Sequence, residues 1–113
     1  MIEHWVFGKI VVDGTSYSSD IKIVRGKVIS DWWRRNGHLI KEDDVEDILA
    51  AHPNVLVIGK GDPGLMKISP QLRESLINSG IKLIEEKTPQ AIDIFNRLST
   101  EGKNVAAGFH ISC

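Results

Sequence analysis

One cysteine among 113 residues, Cys113, is too few for an intrachain disulfide, which fits a reducing compartment. No apolar run approaches the roughly 18 residues that a membrane-crossing helix needs. The opening Met1-Ile2-Glu3-His4-Trp5 lacks a basic stretch followed by a long apolar segment, so no secretory leader is expected. The expected compartment is the cytoplasm, with no membrane contact. An excess of one charge is missing too. The net charge is −1, which gives no electrostatic case for nucleic acid. Residues 1–41 carry seven Lys/Arg against four Asp/Glu and residues 42–113 carry seven against eleven. That asymmetry could orient two copies or a charged partner, although ordinary solvated surface explains it as well. There is no G-x-S-x-G elbow, and no pair of acids has a spacing that argues for acid–base work.

Hydrophobic residues make up 42% and charged residues 26% of the chain, the balance of one folded domain over 1–113 rather than of a disordered segment. The first forty residues read as a β-meander. Trp5 to Val12 forms a strand, Asp13-Gly14 a hairpin turn, and Tyr17 to Val24 the returning strand, with Ile21 and Ile23 alternating against Asp20 and Lys22. Arg25-Gly26 turns into Lys27 to Ser30. Trp32-Trp33-Arg34-Arg35-Asn36-Gly37-His38 then leads away from the sheet.

The period changes after that. Glu42-Asp43-Asp44 opens a helix whose buried face is Val45, Ile48, Leu49 and His52, and Pro53 stops it. Val55 to Ile58 is a strand covered on both faces. Ser69-Pro70 starts a second helix as N-cap and first-turn proline, and Gly80 closes it. Ile81 to Ile84 is again a strand. Thr88-Pro89 repeats the start signal for a helix lined by Ala91, Ile94, Phe95 and Leu98 up to Gly102, and Val105 to Phe109 is the last strand. The order βββ-αβαβαβ implies an α/β domain with a mainly parallel central sheet. The meander extends that sheet or lies against it.

The residues also carry a family pattern. The chain resembles, nearly end to end, the small Mth-like domains, which include the adipogenesis-associated Mth-like domain protein and a mitochondrial complex I assembly factor. The matching pieces are Trp32-Trp33-Arg34 with His38, Val57-Ile58-Gly59-Lys60-Gly61, Leu76 to Gly80-Ile81, Thr88 with Ala91, Asn96 with Leu98, and Val105 to Cys113. The resemblance implies a three-layer α/β fold with a mixed central sheet. It implies no established enzymatic activity, and it suggests an assembly or interaction role by analogy.

Gly59-Lys60-Gly61-Asp62-Pro63-Gly64 spells G-x-G-x-x-G after a buried strand. A dinucleotide site needs such glycines for close backbone approach and a helix N-terminus beside them. Glu85, 21 residues beyond Gly64, stands where a ribose-binding acid would. Against this, the helix start at Ser69-Pro70 comes five residues late, Asp62 would face a diphosphate, and Pro63 removes a donor. A type II turn over Asp62-Pro63-Gly64-Leu65 explains the same residues. The loop still lies past the C-terminal end of a parallel strand, where open α/β sheets hold ligands. A small anionic ligand bound by Gly59, Lys60, Gly61, Lys67 and Ser69 is therefore the alternative reading.

The preferred site is Trp32, Trp33, Arg34 and His38, because Trp and Arg are typical interface anchors. The plainer reading has one tryptophan in the core, the other at an edge, and the arginines paired with acids. A single such cluster is too little for single-stranded nucleic acid. His110 and Cys113 are three apart, but His4, His38 and His52 are scattered along the chain, so no metal set is expected. Cys113 next to a terminal carboxylate is a poor nucleophile, and His110 reads as a hydrogen-bonded histidine at the core edge. The function expected is a non-catalytic interaction or assembly module with an unidentified protein partner or a second copy of itself. Neither catalytic residues nor a cofactor are expected.

Overall fold

The computed structural model describes residues 1–113. Ten strands and three helices follow one another as β1 (Ile2–Val6), β2 (Lys9–Val12), β3 (Thr15–Tyr17), β4 (Ile21–Val24), β5 (Lys27–Ile29), β6 (Leu39–Ile40), a 3-10 turn over Glu42–Val45, α1 (Glu46–Ala51), β7 (Val55–Lys60), β8 (Lys67–Ile68), α2 (Pro70–Asn78), β9 (Lys82–Glu86), α3 (Thr88–Thr100) and β10 (Val105–His110). The central sheet has the order β5-β4-β10-β7-β9. β10 runs parallel to β7, and β7 parallel to β9, whereas β4 opposes both of its neighbours. Four of the five strands thus point one way, in a mixed sheet.

The meander is split between two sheets. β4 and β5 extend the central sheet, while β1-β2-β3 form a separate antiparallel sheet. The apolar stretch from Trp5 to Val12 is therefore two strands rather than one. Gly8, at φ +85°, reverses the chain after Phe7 where the apolar run alone suggested continuity. The Asp13-Gly14 and Arg25-Gly26 turns have positive φ at both residues, as tight hairpins demand. A second refinement concerns β6 and β8, which are two residues each and pair parallel to one another. Runs that short leave no periodic trace.

Alternation along β7 and β10 sorts the core into two faces. Val57, Val105, Ala107 and Phe109 meet Ala91, Ile92 and Phe95 of α3 together with Ile2, Ile10 and Val12 of the small sheet. Leu56, Ile58 and Ala106 meet Ile48 of α1, Leu72 and Leu76 of α2, and Trp32. The result is three layers, with the central sheet between α1/α2 and a layer of α3 plus the small sheet. Asn96 of α3 clamps β1 through both backbone polar groups of one residue, accepting from the Ile2 amide (3.0 Å) and donating to the Ile2 carbonyl (2.8 Å). The parallel strands β7 and β10 end together at Lys60 and His110.

Candidate functional site

The strand ends of β7 and β10 meet the segment 30–38 and the stretch 110–113. Trp32-to-His38 does not lead away from the sheet; it folds over the strand ends. Asp31 takes φ +54°, its amide is held by Ser19 Oγ at 2.9 Å, and the Trp32 amide donates to the Asp20 carbonyl at 3.0 Å. This turns Trp32 inward and Trp33 outward. Trp32 is 4% exposed and Trp33 81%. The Trp32 ring lies over Gly108, where a Cβ would come within 2.7 Å of it, and its Nε1 donates to the Asp44 carbonyl at 2.9 Å.

Behind Trp32 sits a charged network built on Arg34 and on Asp20, the residue before β4. The Arg34 side chain is 4% exposed and that of Asp20 13%. Arg34 Nη2 donates to Asp20 Oδ2 and to the Gly37 carbonyl at 3.0 Å, Nη1 donates to the Trp32 carbonyl at 3.1 Å, and the guanidinium stacks 4.5 Å from the Trp32 ring centroid. Asp20 also accepts from the Ile111 amide (2.9 Å) and pairs with His110 Nδ1 (2.7 Å). Burial pushes the Asp20 carboxyl up, but the hydrogen bonds of His110, Ile111 and Arg34 outweigh it and hold the group below its usual range. His110 is 7% exposed, and its Nε2 is buried without a partner, as is Arg34 Nε.

His38 stands edge-on to His110, with ring centroids 5.4 Å apart. Cys113 Sγ lies 3.9 Å from His38 Nε2. These groups line a crevice of about 420 Å³ with Ser18, Trp33 and Ser112 on its walls. The histidines that look scattered in sequence are therefore not all scattered in space. A larger depression of about 770 Å³ beside α1 and the start of α2 is lined by Glu42, Asp43 and Glu46; it holds no buried unpartnered group.

The glycine loop is occupied by the protein itself. A Cβ on Gly59 would come within 2.8 Å of Phe109 and 3.0 Å of Thr88 Oγ1, and one on Gly61 within 2.5 Å of the Ser112 carbonyl. Packing of the chain accounts for both glycines. The Gly61 amide donates to Thr88 Oγ1 (2.9 Å), whose hydroxyl donates to the His110 carbonyl (2.6 Å). Thr88 is thus a buried bridge rather than a helix cap. Asp62 N donates to the Ser112 carbonyl, Met66 N to Lys60, and Lys67 N to His38. Gly64 has φ +101° and the Asp62-Pro63 bond is cis. Ser69 caps α2 as its pattern predicts, accepting from the Leu72 amide at 3.1 Å. Lys60 lies 3.7 Å from Glu85, which also pairs with Arg73. The Arg73 hydrogen bond holds the Glu85 carboxyl below its usual range against the burial that raises it.

Of the residues singled out in sequence, Trp32, Trp33, Arg34 and His38 all line this one crevice, with His110 and Cys113 beside them. Lys67 is exposed, and Gly59, Lys60 and Ser69 lie outside the crevice lining. Sequence reasoning missed Asp20 and Thr88. No local signal marks Asp20; only the β4–β10 pairing, which sets Phe109 opposite Ile21, brings it to His110.

A family model described as a protein of unknown function (DUF498/DUF598) matches residues 2–110. Among solved structures, the protein MT938 is 25% identical with a TM-score of 0.83, over 100% of this chain and 98% of that one. A conserved hypothetical protein from Pyrococcus horikoshii OT3 is 24% identical with a TM-score of 0.84, over 100% and 99%. A Mth938-like domain from Bordetella pertussis is 21% identical with a TM-score of 0.78, over 97% and 84%. The three-layer arrangement is thus that of Mth938-like domains. No helix here is long and apolar enough to cross a membrane.

Proposed function

The chain belongs to the DUF498/DUF598 family, and from that premise we propose that it is a non-catalytic interaction module that docks a protein partner through Trp33 at the mouth of the crevice. One observation carries this reading. Trp33 is 81% exposed on a backbone pinned by Ser19, Asp20 and its own amide's bond to the Asp31 carbonyl at 2.9 Å. A large apolar side chain on a fixed backbone has only its own rotamers left to order on docking, which favours it as an anchor. Phe7 and Leu65 are exposed as well, on backbone tied to the same end of the molecule, where Gly8 N and Leu65 N donate to the Ile111 and Cys113 carbonyls.

The alternative, a small anionic ligand on Gly59, Lys60, Gly61, Lys67 and Ser69, has less support. The amides of Gly61, Asp62, Met66 and Lys67 already have acceptors, and Lys60 faces Glu85.

The test is capture from an extract of the source cells with wild-type protein, Trp33→Ala, and Ile77→Ala as an exposed control on α2. Proteins retained by wild type and by the Ile77 variant but lost from Trp33→Ala support the reading. Identical sets on all three baits reject it.

A further inference from the structure

His38, His110 and Cys113 each offer one donor atom, and those three atoms lie within 4.8 Å of one another. Two of the residues come from one end of the chain and the third from the segment that folds over the strand ends. The His110 ring is buried, and its Nδ1 is engaged by Asp20 at 2.7 Å. That leaves Nε2 as the free donor, and Nε2 is the atom that has no partner. A buried imidazole nitrogen facing a crevice without a hydrogen bond is costly unless something else occupies its lone pair.

We propose that His38, His110 and Cys113 bind a divalent transition-metal ion of the zinc class, with an open fourth position facing the crevice. Three features of the site fit. The donor set is two imidazoles and one thiolate, which suits zinc-class ions and not calcium or magnesium. Metal bonds of the usual length in a tetrahedron place neighbouring donors about 3.4–3.6 Å apart. His38 Nε2 and Cys113 Sγ are 3.9 Å apart and all three donors lie within 4.8 Å, so coordination draws them together by about an ångström, a movement open to the exposed His38 and half-buried Cys113. Finally, Asp20 stands on the far nitrogen of His110. A carboxylate in that position fixes the tautomer that presents Nε2 and is the usual outer partner of a metal-binding histidine.

The site is independent of the Trp33 docking reading, since the ion sits on the inner wall and the anchor on the rim. Three protein ligands leave one position for water or an incoming group, as in open zinc sites. Binding deprotonates the thiol: the metal–sulfur bond forms, the S–H bond breaks, and one proton goes to solvent.

The experiment is a titration of chelator-stripped full-length protein with cobalt(II), read by absorption, followed by competition with zinc. One equivalent is expected, with tetrahedral ligand-field bands and an intense thiolate-to-cobalt charge-transfer band. Cys113→Ser is expected to abolish the charge-transfer band, and His38→Ala to weaken binding by tenfold or more. Neither residue belongs to the core, so both variants are expected to fold; circular dichroism checks this. His52→Ala, remote from the site, is expected to bind as wild type does. No charge-transfer band in wild type, or affinity unchanged by both Cys113→Ser and His38→Ala, overturns the proposal.

Discussion

Replacing Asp20 by Asn keeps the shape of the side chain and removes its charge. In the wild-type protein that carboxylate answers a guanidinium whose side chain is 4% exposed, the His110 ring and the Ile111 amide. The amide of the variant cannot accept on both atoms, and its NH2 group faces another donor from Arg34 or His110. Arg34 then stays buried and positive with only the Trp32 and Gly37 carbonyls to meet it. Breaking a buried pair from one side costs about 3–5 kcal/mol, which in a domain of this size lowers the melting temperature by roughly 12–20 °C. Thermal unfolding followed by circular dichroism measures it. The pH dependence supplies a second readout. The folded-state pKa of Asp20 lies below the ordinary 3.8, so its contribution is fully present above the unfolded value and is lost as pH falls through the folded one. The gap between wild type and variant therefore closes as the pH drops below about 4. A loss under about 1 kcal/mol, the range of an exposed pair, would refute the buried network. A gap that did not narrow in acid would refute the assignment to Asp20.

Two further changes probe the packing around the crevice. Gly108→Ala puts a methyl group within 2.7 Å of the Trp32 ring; a cost of about 1–3 kcal/mol and a changed near-ultraviolet circular dichroism spectrum are expected, and wild-type stability would show that Trp32 is not seated there. Thr88→Val removes the hydroxyl that joins the Gly61 amide to the His110 carbonyl, leaving two buried groups unpaired at about 1–3 kcal/mol each; chemical denaturation measures it, and a loss under about 0.5 kcal/mol, the size of a surface change, contradicts the bridge.

What could be read in the sequence depended on how local its cause was. Ser69-Pro70 and Gly80 bracket α2 as expected, because an N-cap hydroxyl and a left-handed glycine act within one helical turn. Val55 to Ile58 declared itself by lacking any polar residue, since both its faces are covered. The break at Phe7-Gly8 was hidden because a glycine inside an apolar run does not announce its φ. The crevice was half legible. Trp32, Trp33, Arg34 and His38 are contiguous enough to draw attention, and the division into a buried and an exposed tryptophan follows from one inverted residue, Asp31. Their union with Asp20, His110 and Cys113 depends on the antiparallel pairing of β4 with β10, a long-range contact with no local signature. Thr88 was read as a cap because Thr-Pro usually is one, and tertiary contacts redirected its hydroxyl.

The docking role of Trp33 is tested most directly by placing a photoreactive benzoyl-phenylalanine at position 33, with position 77 as control, and irradiating the protein in the source cells. A discrete adduct with one protein partner, or with a second copy of this chain, from position 33 and not from position 77 is the predicted result. The same adduct pattern from both positions, or none from position 33, contradicts it.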